Sequence, residues 1–328
     1  MDIQELQSKN RDDLFYFVGS DAIASEKIIA PRYSYWKSVF RVFFRKKINI
    51  ALLALLAVML LVIFIVPTFW PYNAFEYNLD TAARNLSPAE ATAYFKENHP
   101  DTYNPIEWIF GSGLFSNSIL RGIISSARTS LLLALTCTLI NMTIGIIVGA
   151  VWGYSKKVDA VMLVVYNIVA NVPWLLMISV LVYVIGSGFG SFVFALTITG
   201  WLGIAYFFRT QVMIIRDREY SLASRCLGTP IYRMVAKNIL PFLTSVIVTL
   251  MATELPSYIS AEVTLSFLGV GLSADVPSLG RMISEAQTAF LTFPWAFWAP
   301  VAVASAITII LYVLGQNLAD ASDPRTHM

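Results

Sequence analysis

Apolar residues in this chain come in long runs divided by short polar stretches, and the length of each run decides the element it predicts. Residues 48–66 are almost wholly aliphatic and match the roughly 20 residues that a helix needs to cross a bilayer. Further apolar runs occupy 129–154, 158–185, 191–208, 242–264 and 295–314. The pattern predicts an all-α membrane protein with six transmembrane helices. Pro173, preceded by Asn167 and Asn171, predicts a kink in the third span, whose freed carbonyls need partners in protein or along a water-lined path. Residues 265–294 are too polar and too broken by Gly and Pro to cross.

Charge orients the spans. Residues 1–47 form a basic segment ending in Arg45-Lys46-Lys47, which predicts a cytoplasmic N-terminus. Within it Tyr33, Trp36, Phe40, Phe43 and Phe44 interleave with Arg32, Lys37, Arg41 and Arg45 at helical spacing. That pattern reads as an interfacial helix on anionic lipid or as an amphipathic helix packed on the protein itself; the two are compatible. Residues 67–128 carry Glu76, Asp80, Glu90, Glu97, Asp101 and Glu107 and read as an extracellular loop. Residues 129–318 form the core, with a cytoplasmic loop at 209–241, and residues 319–328 are a cytoplasmic tail. Arg121, Arg128 and Arg281 are exceptions to this charge pattern.

Composition agrees with a membrane protein and excludes several other classes. Of 328 residues 57% are hydrophobic and 13% charged, against roughly 25% charged in soluble domains. A net charge of +2 gives no reason to expect nucleic acid. No cleavable signal peptide is expected, because the first apolar run begins only after a long charged lead. Cys137 and Cys226 predict neither a disulfide nor a metal cluster, and His99 and His327 lie far apart in the sequence. There is no GxxxxGK[ST], HExxH or GxSxG motif, so no catalytic constellation and no cofactor are expected.

Two groups of residues remain as candidates. Residues 216–241, RDREYSLASRCLGTPIYRMVAKNILP, form a basic island between two apolar spans. Tyr220 begins a short helix containing Leu222, Ala223 and Ser224, and Gly228 suits the left-handed position that ends it. Thr229 and Pro230 are the types favoured at the cap and first position of a second helix, which would carry Arg233 and run to Asn238. Pro241 would then open the next span. The result is a helix–Gly–helix elbow suited to being gripped by another protein. The second group is Glu254, Tyr258 and Glu262 in the fifth span, four residues apart on one broad face. Glu254 and Glu262 are read as the only ionisable residues within the spans, and a charge at the bilayer centre costs at least ~2.5–3.5 kcal/mol. This face is expected to line a solute pathway in which Glu254 attracts cationic groups. The competing readings are that Glu254 is protonated or paired to hold an assembly, and that Glu262 belongs to interfacial architecture.

The island resembles the EAA loop of ABC-importer membrane subunits: Leu222-Ala223-Ser224, Gly228 and Leu240-Pro241 stand at the places of Glu-Ala-Ala, Gly and Leu-Pro. Leu222 and Ser224 depart from that motif. Residues 262–271, EVTLSFLGVG, and 277–280, PSLG, are similar to the signature after span five in C-type oligopeptide and dipeptide permeases. Residues 317–325, NLADASDPR, resemble the terminal motif of those subunits, and residues 30–36, APRYSYW, are similar to the Ami/Opp oligopeptide permeases of Gram-positive cocci. Ahead of span two the chain has GSGLFSN at 111–117 in place of the usual Gly-Thr-Asp…Gly-Arg-Asp pattern.

The resemblance implies the fold of a type I ABC-importer permease, with six spans and both termini cytoplasmic, in a bacterial plasma membrane. It also implies a homologous B-type permease subunit, two cytoplasmic ATPase subunits, an extracellular peptide-binding lipoprotein and a peptide substrate. ATP hydrolysis would then lie in separate subunits. Tyr220, Leu222, Ala223, Ser224, Gly228, Thr229, Pro230 and Arg233 would couple to the ATPases. A C-type permease for nickel or another small solute is the alternative within this class. A stand-alone secondary transporter is the alternative outside it, and it predicts inverted repeats and several mid-membrane titratable groups that the sequence does not show.

Overall fold

In hydrocarbon every backbone N–H and C=O needs a partner within its own segment, so long apolar runs become helices. The computed structural model describes residues 34–73, 80–101, 103–273 and 275–323. The basic segment at 1–33, most of the APRYSYW stretch, Glu76 and the end of the tail lie outside the described residues. The helices are α1 (Tyr35–Arg45), α2 (Lys47–Phe69), α3 (Pro88–Asn98), α4 (Ile119–Tyr154), α5 (Lys156–Ala170), α6 (Trp174–Ile185) and α7 (Phe189–Arg216). They continue as α8 (Glu219–Cys226), α9 (Ile231–Met234), α10 (Thr244–Phe267), α11 (Leu279–Ala286) and α12 (Pro294–Ser322). Among the described residues five apolar stretches are long enough to cross a membrane, or six if α5 and α6 make one broken span. The chain divides into two units, Met1–Ser38 and Val39–Met328. Of the first, the described part is the start of α1; all that follows concerns the second.

Three boundaries differ from the sequence expectation. The second span begins ten residues early, at Ile119, because Ser118 caps it by accepting a hydrogen bond from the Arg121 N–H. Arg121 and Arg128 are therefore helical rather than in a loop. The third span is not merely kinked: α5 and α6 are bent by 81°. Pro173 stands as the N-cap of α6, where its missing N–H costs nothing. The fifth apolar stretch is longer than expected, running from Ile231 to Phe267. Pro241 does not open it but sits in a 3₁₀ turn, Leu240–Leu243, just after a π turn, Val235–Ile239. Proline cannot supply the i→i−4 bond, and the chain widens and then tightens around it rather than breaking.

The bundle is built on the packing of α4 against α7. Gly145, Gly149 and Gly153 stack four apart on α4, and the α7 backbone lies directly on them. A Cβ on Gly149 would meet the Ala205 carbonyl oxygen at 2.5 Å, and one on Gly153 would meet that of Arg209 at 2.6 Å. Small residues at this spacing let two membrane helices approach closely. At the elbow end of the bundle the same pair is tied by polar contacts. Asp159, at the start of α5, accepts from Arg209 Nη2 at 3.0 Å and from Trp152 Nε1 at 2.8 Å. Arg209 lies over the Trp152 ring, and Arg216 Nη1 donates to the Gly153 carbonyl at 2.7 Å. Asp159 falls within residues 158–185, so ionisable groups are not confined to the fifth span.

Residues 80–117 fold rather than hang as a loop. Ser87 and Glu90 form a capping box at the start of α3. Phe95 stacks on Trp108 with centroids 3.5 Å apart, over buried Ala83 and Ala91. Arg121 pairs with Glu107 at 2.9 Å and joins this cluster to α4.

Candidate functional site

The elbow follows α7 directly. Ser221, buried at the start of α8, donates its hydroxyl to the Ile215 carbonyl at 3.0 Å and fixes how α8 leaves α7. After α8 the Gly228 N–H bonds to the Arg225 carbonyl at 3.0 Å and the Thr229 N–H to the Ser224 carbonyl at 3.2 Å. These two bonds make a Schellman motif, with Gly228 at φ +75° as its left-handed residue. Pro230, not Thr229, is the N-cap of α9, in extended conformation at φ −67°, ψ 151°. Asn238 Nδ2 reaches back to Ser224 Oγ at 2.9 Å and locks the two arms. Met234, Ile239 and Leu243 root the second arm in a core with Phe208, Val212 and Ile215 of α7.

The tip of the elbow faces outward. Leu227 is 87% exposed and Tyr232 72%, with Leu222 and Ile231 also exposed beside them. Arg218, Arg225, Arg233 and Lys237 are exposed on the same elbow, together with Asp217 and Glu219. Tyr220 packs its ring on Phe242. All eight residues expected at the elbow come together here. Asn238 and Ser221, which hold it, carried no sequence signal beyond being polar in a short loop.

The second expected group does not stay together. Tyr258 is buried and accepts from Asn141 Nδ2 of α4 at 2.5 Å. Glu262 has no exposed surface: its carboxylate accepts from Ser130 of α4 at 3.0 Å, Ser266 at 3.1 Å, Ser278 at 2.7 Å and the Gly280 N–H at 3.3 Å. Ser130 in turn accepts from the Leu279 N–H. The EVTLSF and PSLG stretches are thus two halves of one buried knot, with the carboxylate set on the first turn of α11. Glu254 is half-buried. Of the three residues expected to line a pathway, Tyr258 and Glu262 thus face the chain's own core in this conformation, and Glu254 is left partly open.

The opposite face of α10 is open. Ser245, Thr249, Thr253, Ser257, Ser260 and Thr264 follow one another along it at spacings of three and four. Each hydroxyl from Thr249 onward donates to the carbonyl four residues earlier, at 2.7–3.3 Å. A cleft of about 510 Å³ lies along Thr253, Ser257, Ser260 and Thr264 of this row and is also lined by Trp174, Ile309 and Tyr312. The i, i+4 spacing of these hydroxyls is visible in the sequence, but which face the chain covers is not. A second cleft, of about 570 Å³, opens at the α11 end beside the Arg281–Glu285 pair. Near it the Asp275 carboxyl is held below the usual range, chiefly by a hydrogen bond from Ser273.

An exposed elbow at one end of a glycine-packed helical bundle is the architecture to set beside known proteins. The family profile described as "binding-protein-dependent transport system inner membrane component" matches residues 141–328. This chain belongs to that family. A second profile, "N-terminal TM domain of oligopeptide transport permease C", matches residues 34–88 of the permease. The permease is 46% identical to the oligopeptide transport system permease protein AmiD of Streptococcus pneumoniae, over 95% of this chain and 97% of that one. It is 28% identical to the dipeptide transport system permease protein DppC of Lactococcus lactis subsp. cremoris, over 98% and 99% of the two chains. With DppC of Bacillus subtilis the identity is 31%, over 92% and 89%. It is an integral membrane protein of the ABC-transporter permease class. Its place in a binding-protein-dependent system replaces the stand-alone transporter reading.

Proposed function

We propose that this chain is one of two homologous membrane subunits of an ATP-driven oligopeptide importer, with six spans and both termini in the cytoplasm. The relatives carry oligopeptide and dipeptide names, which favours peptide over nickel. Its partners are a B-type permease, two cytoplasmic ATPases, which hydrolyse the ATP, and an extracellular peptide-binding lipoprotein.

The observation that carries the mechanism is continuity. The second arm of the elbow runs into α10 with no intervening loop, through the π and 3₁₀ turns around Pro241. An ATPase seated on Leu222, Leu227, Ile231 and Tyr232, its acidic groups meeting the four basic residues, therefore pushes on the end of a rod. Closure of the ATPases tilts that rod and turns α10 between outward- and inward-facing states. The hydroxyl row on the open face of α10 is the wall past which peptide moves. Its oxygens have already given their protons to helix carbonyls and present acceptors without charge, which suits peptide N–H groups whatever the side chains. Glu254 stands at the edge of that wall, while Tyr258 and Glu262 hold α10 against α4.

Reconstitution tests this reading. Liposomes holding both permease subunits and both ATPases should accumulate labelled oligopeptide only with ATP and the binding protein present. Uptake of solute by this chain alone, or ATP-driven uptake of nickel and not peptide by the full assembly, would overturn it.

A further inference from the structure

The corner between α1 and α2 has no part in the mechanism above, yet it is built with care. A single residue, Lys46, separates the helices, in extended conformation at φ −81°, ψ 111°. Asn49, with no exposed surface, donates Nδ2 to the Phe43 carbonyl at 2.9 Å, satisfying one of the carbonyls that the end of α1 would leave open. Lys46 Nζ donates to Asn317 Oδ1 of α12 at 2.9 Å, so the corner is also tied to the end of the last helix. These contacts tie residues 43–49 of the second unit together and to α12. Because α2 enters hydrocarbon from its first turn, the second half of α1 is held where hydrocarbon meets water.

What α1 shows at that level is specific. Val39 and Phe43 are buried against the protein. Phe40 and Phe44, one turn apart, are 49% and 44% exposed, with their rings stacked at 6.3 Å. Arg41, Arg45 and Lys47 are exposed alongside them, and no acidic residue occurs between Glu26 and Glu76. Half of the amphipathic pattern thus packs on the protein, and the other half is an aromatic pair rimmed by cations. Aromatic rings at the boundary of headgroups and acyl chains, with guanidinium groups beside them, match a surface that is apolar below and anionic above.

We propose that α1, with Lys47 at the start of α2, binds anionic phospholipid: Arg41, Arg45 and Lys47 hold headgroup phosphates while Phe40 and Phe44 enter the acyl layer. The inference is independent of the substrate carried. The test uses the assembled transporter. A benzophenone amino acid placed at Phe40 or Phe44 should crosslink to lipid in native membranes; crosslinks mainly to an ATPase or to the partner permease would overturn the proposal. Titration of phosphatidylglycerol into phosphatidylcholine nanodiscs, read by native mass spectrometry, gives the second arm. The double variant Arg41→Gln, Arg45→Gln should weaken phosphatidylglycerol binding roughly thirtyfold, from about fivefold per basic side chain at an anionic surface. Arg41→Lys, Arg45→Lys should retain it. Equal binding by wild type and the Gln variant would overturn the assignment.

Discussion

At its α11 end the rod from Ile231 to Phe267 buries a carboxylate, Glu262, among four hydrogen-bond donors drawn from α4, α10 and α11. At its elbow end it joins an apolar patch led by Leu227 that none of the described residues covers. Hydropathy alone would assign these roles the other way round, with the polar group functional and the apolar group structural. Burial reverses it. A polar residue whose donors are all supplied from within holds the fold, whereas an apolar residue left in water marks a surface made for a partner.

Substitutions at the two ends should therefore separate stability from coupling. Glu262→Ala strands several buried donors, each worth about 1–3 kcal/mol, and should lower thermal stability in detergent by at least about 3 kcal/mol. A variant that melts with the wild type would refute the knot. A methyl group added at each end sharpens the contrast. In Gly280→Ala the new Cβ would stand 2.7 Å from Glu262 Oε1 and 2.8 Å from the Val263 Cα, so about 1–3 kcal/mol should be lost by overpacking. Gly228→Ala meets no atom within 4 Å and carries only the strain of its positive φ, about 1–2 kcal/mol. Gly228→Val should add a β-branched clash with the backbone and release the ATPases while the protein still inserts; normal co-purification and transport by that variant would count against the elbow.

The two faces of α10 can also be told apart by solvent access. In a Cys226→Ser background, Ser257→Cys should react with a membrane-impermeant thiol reagent during turnover, and Tyr258→Cys should not. Equal labelling of both would break the assignment of the hydroxyl row to the pathway.

Features set by neighbours in sequence were legible from it. Leu-Gly-Thr-Pro punctuates the elbow because the left-handed turn and the proline act within a few residues, and Pro173 marks the break of the third span for the same reason. The 48–66 run needed only its length. Features set by distant partners were not legible. Ser130 lies 132 residues from Glu262, and nothing local shows that its hydroxyl supplies that carboxylate. The glycines at 145, 149 and 153 have readable spacing, but their meaning depends on α7 lying across them. That Tyr258 and Glu262 turn toward α4 is likewise set by distant residues, Asn141 and Ser130, and not by their spacing. Residues 80–117 read as a loop because their core is a small cluster, Ala83, Ala91, Phe95 and Trp108, too small to leave a periodic pattern.

The claim on which the account rests is that the exposed tip of the elbow is the contact for the ATPases. Leu227→Asp tests it most directly, since a fully exposed side chain away from the core should change stability by no more than about 0.5 kcal/mol. The variant should insert and pair with its partner permease, while the ATPases no longer co-purify and ATP-dependent peptide uptake is lost. ATPases retained at wild-type stoichiometry, with normal uptake, would contradict it.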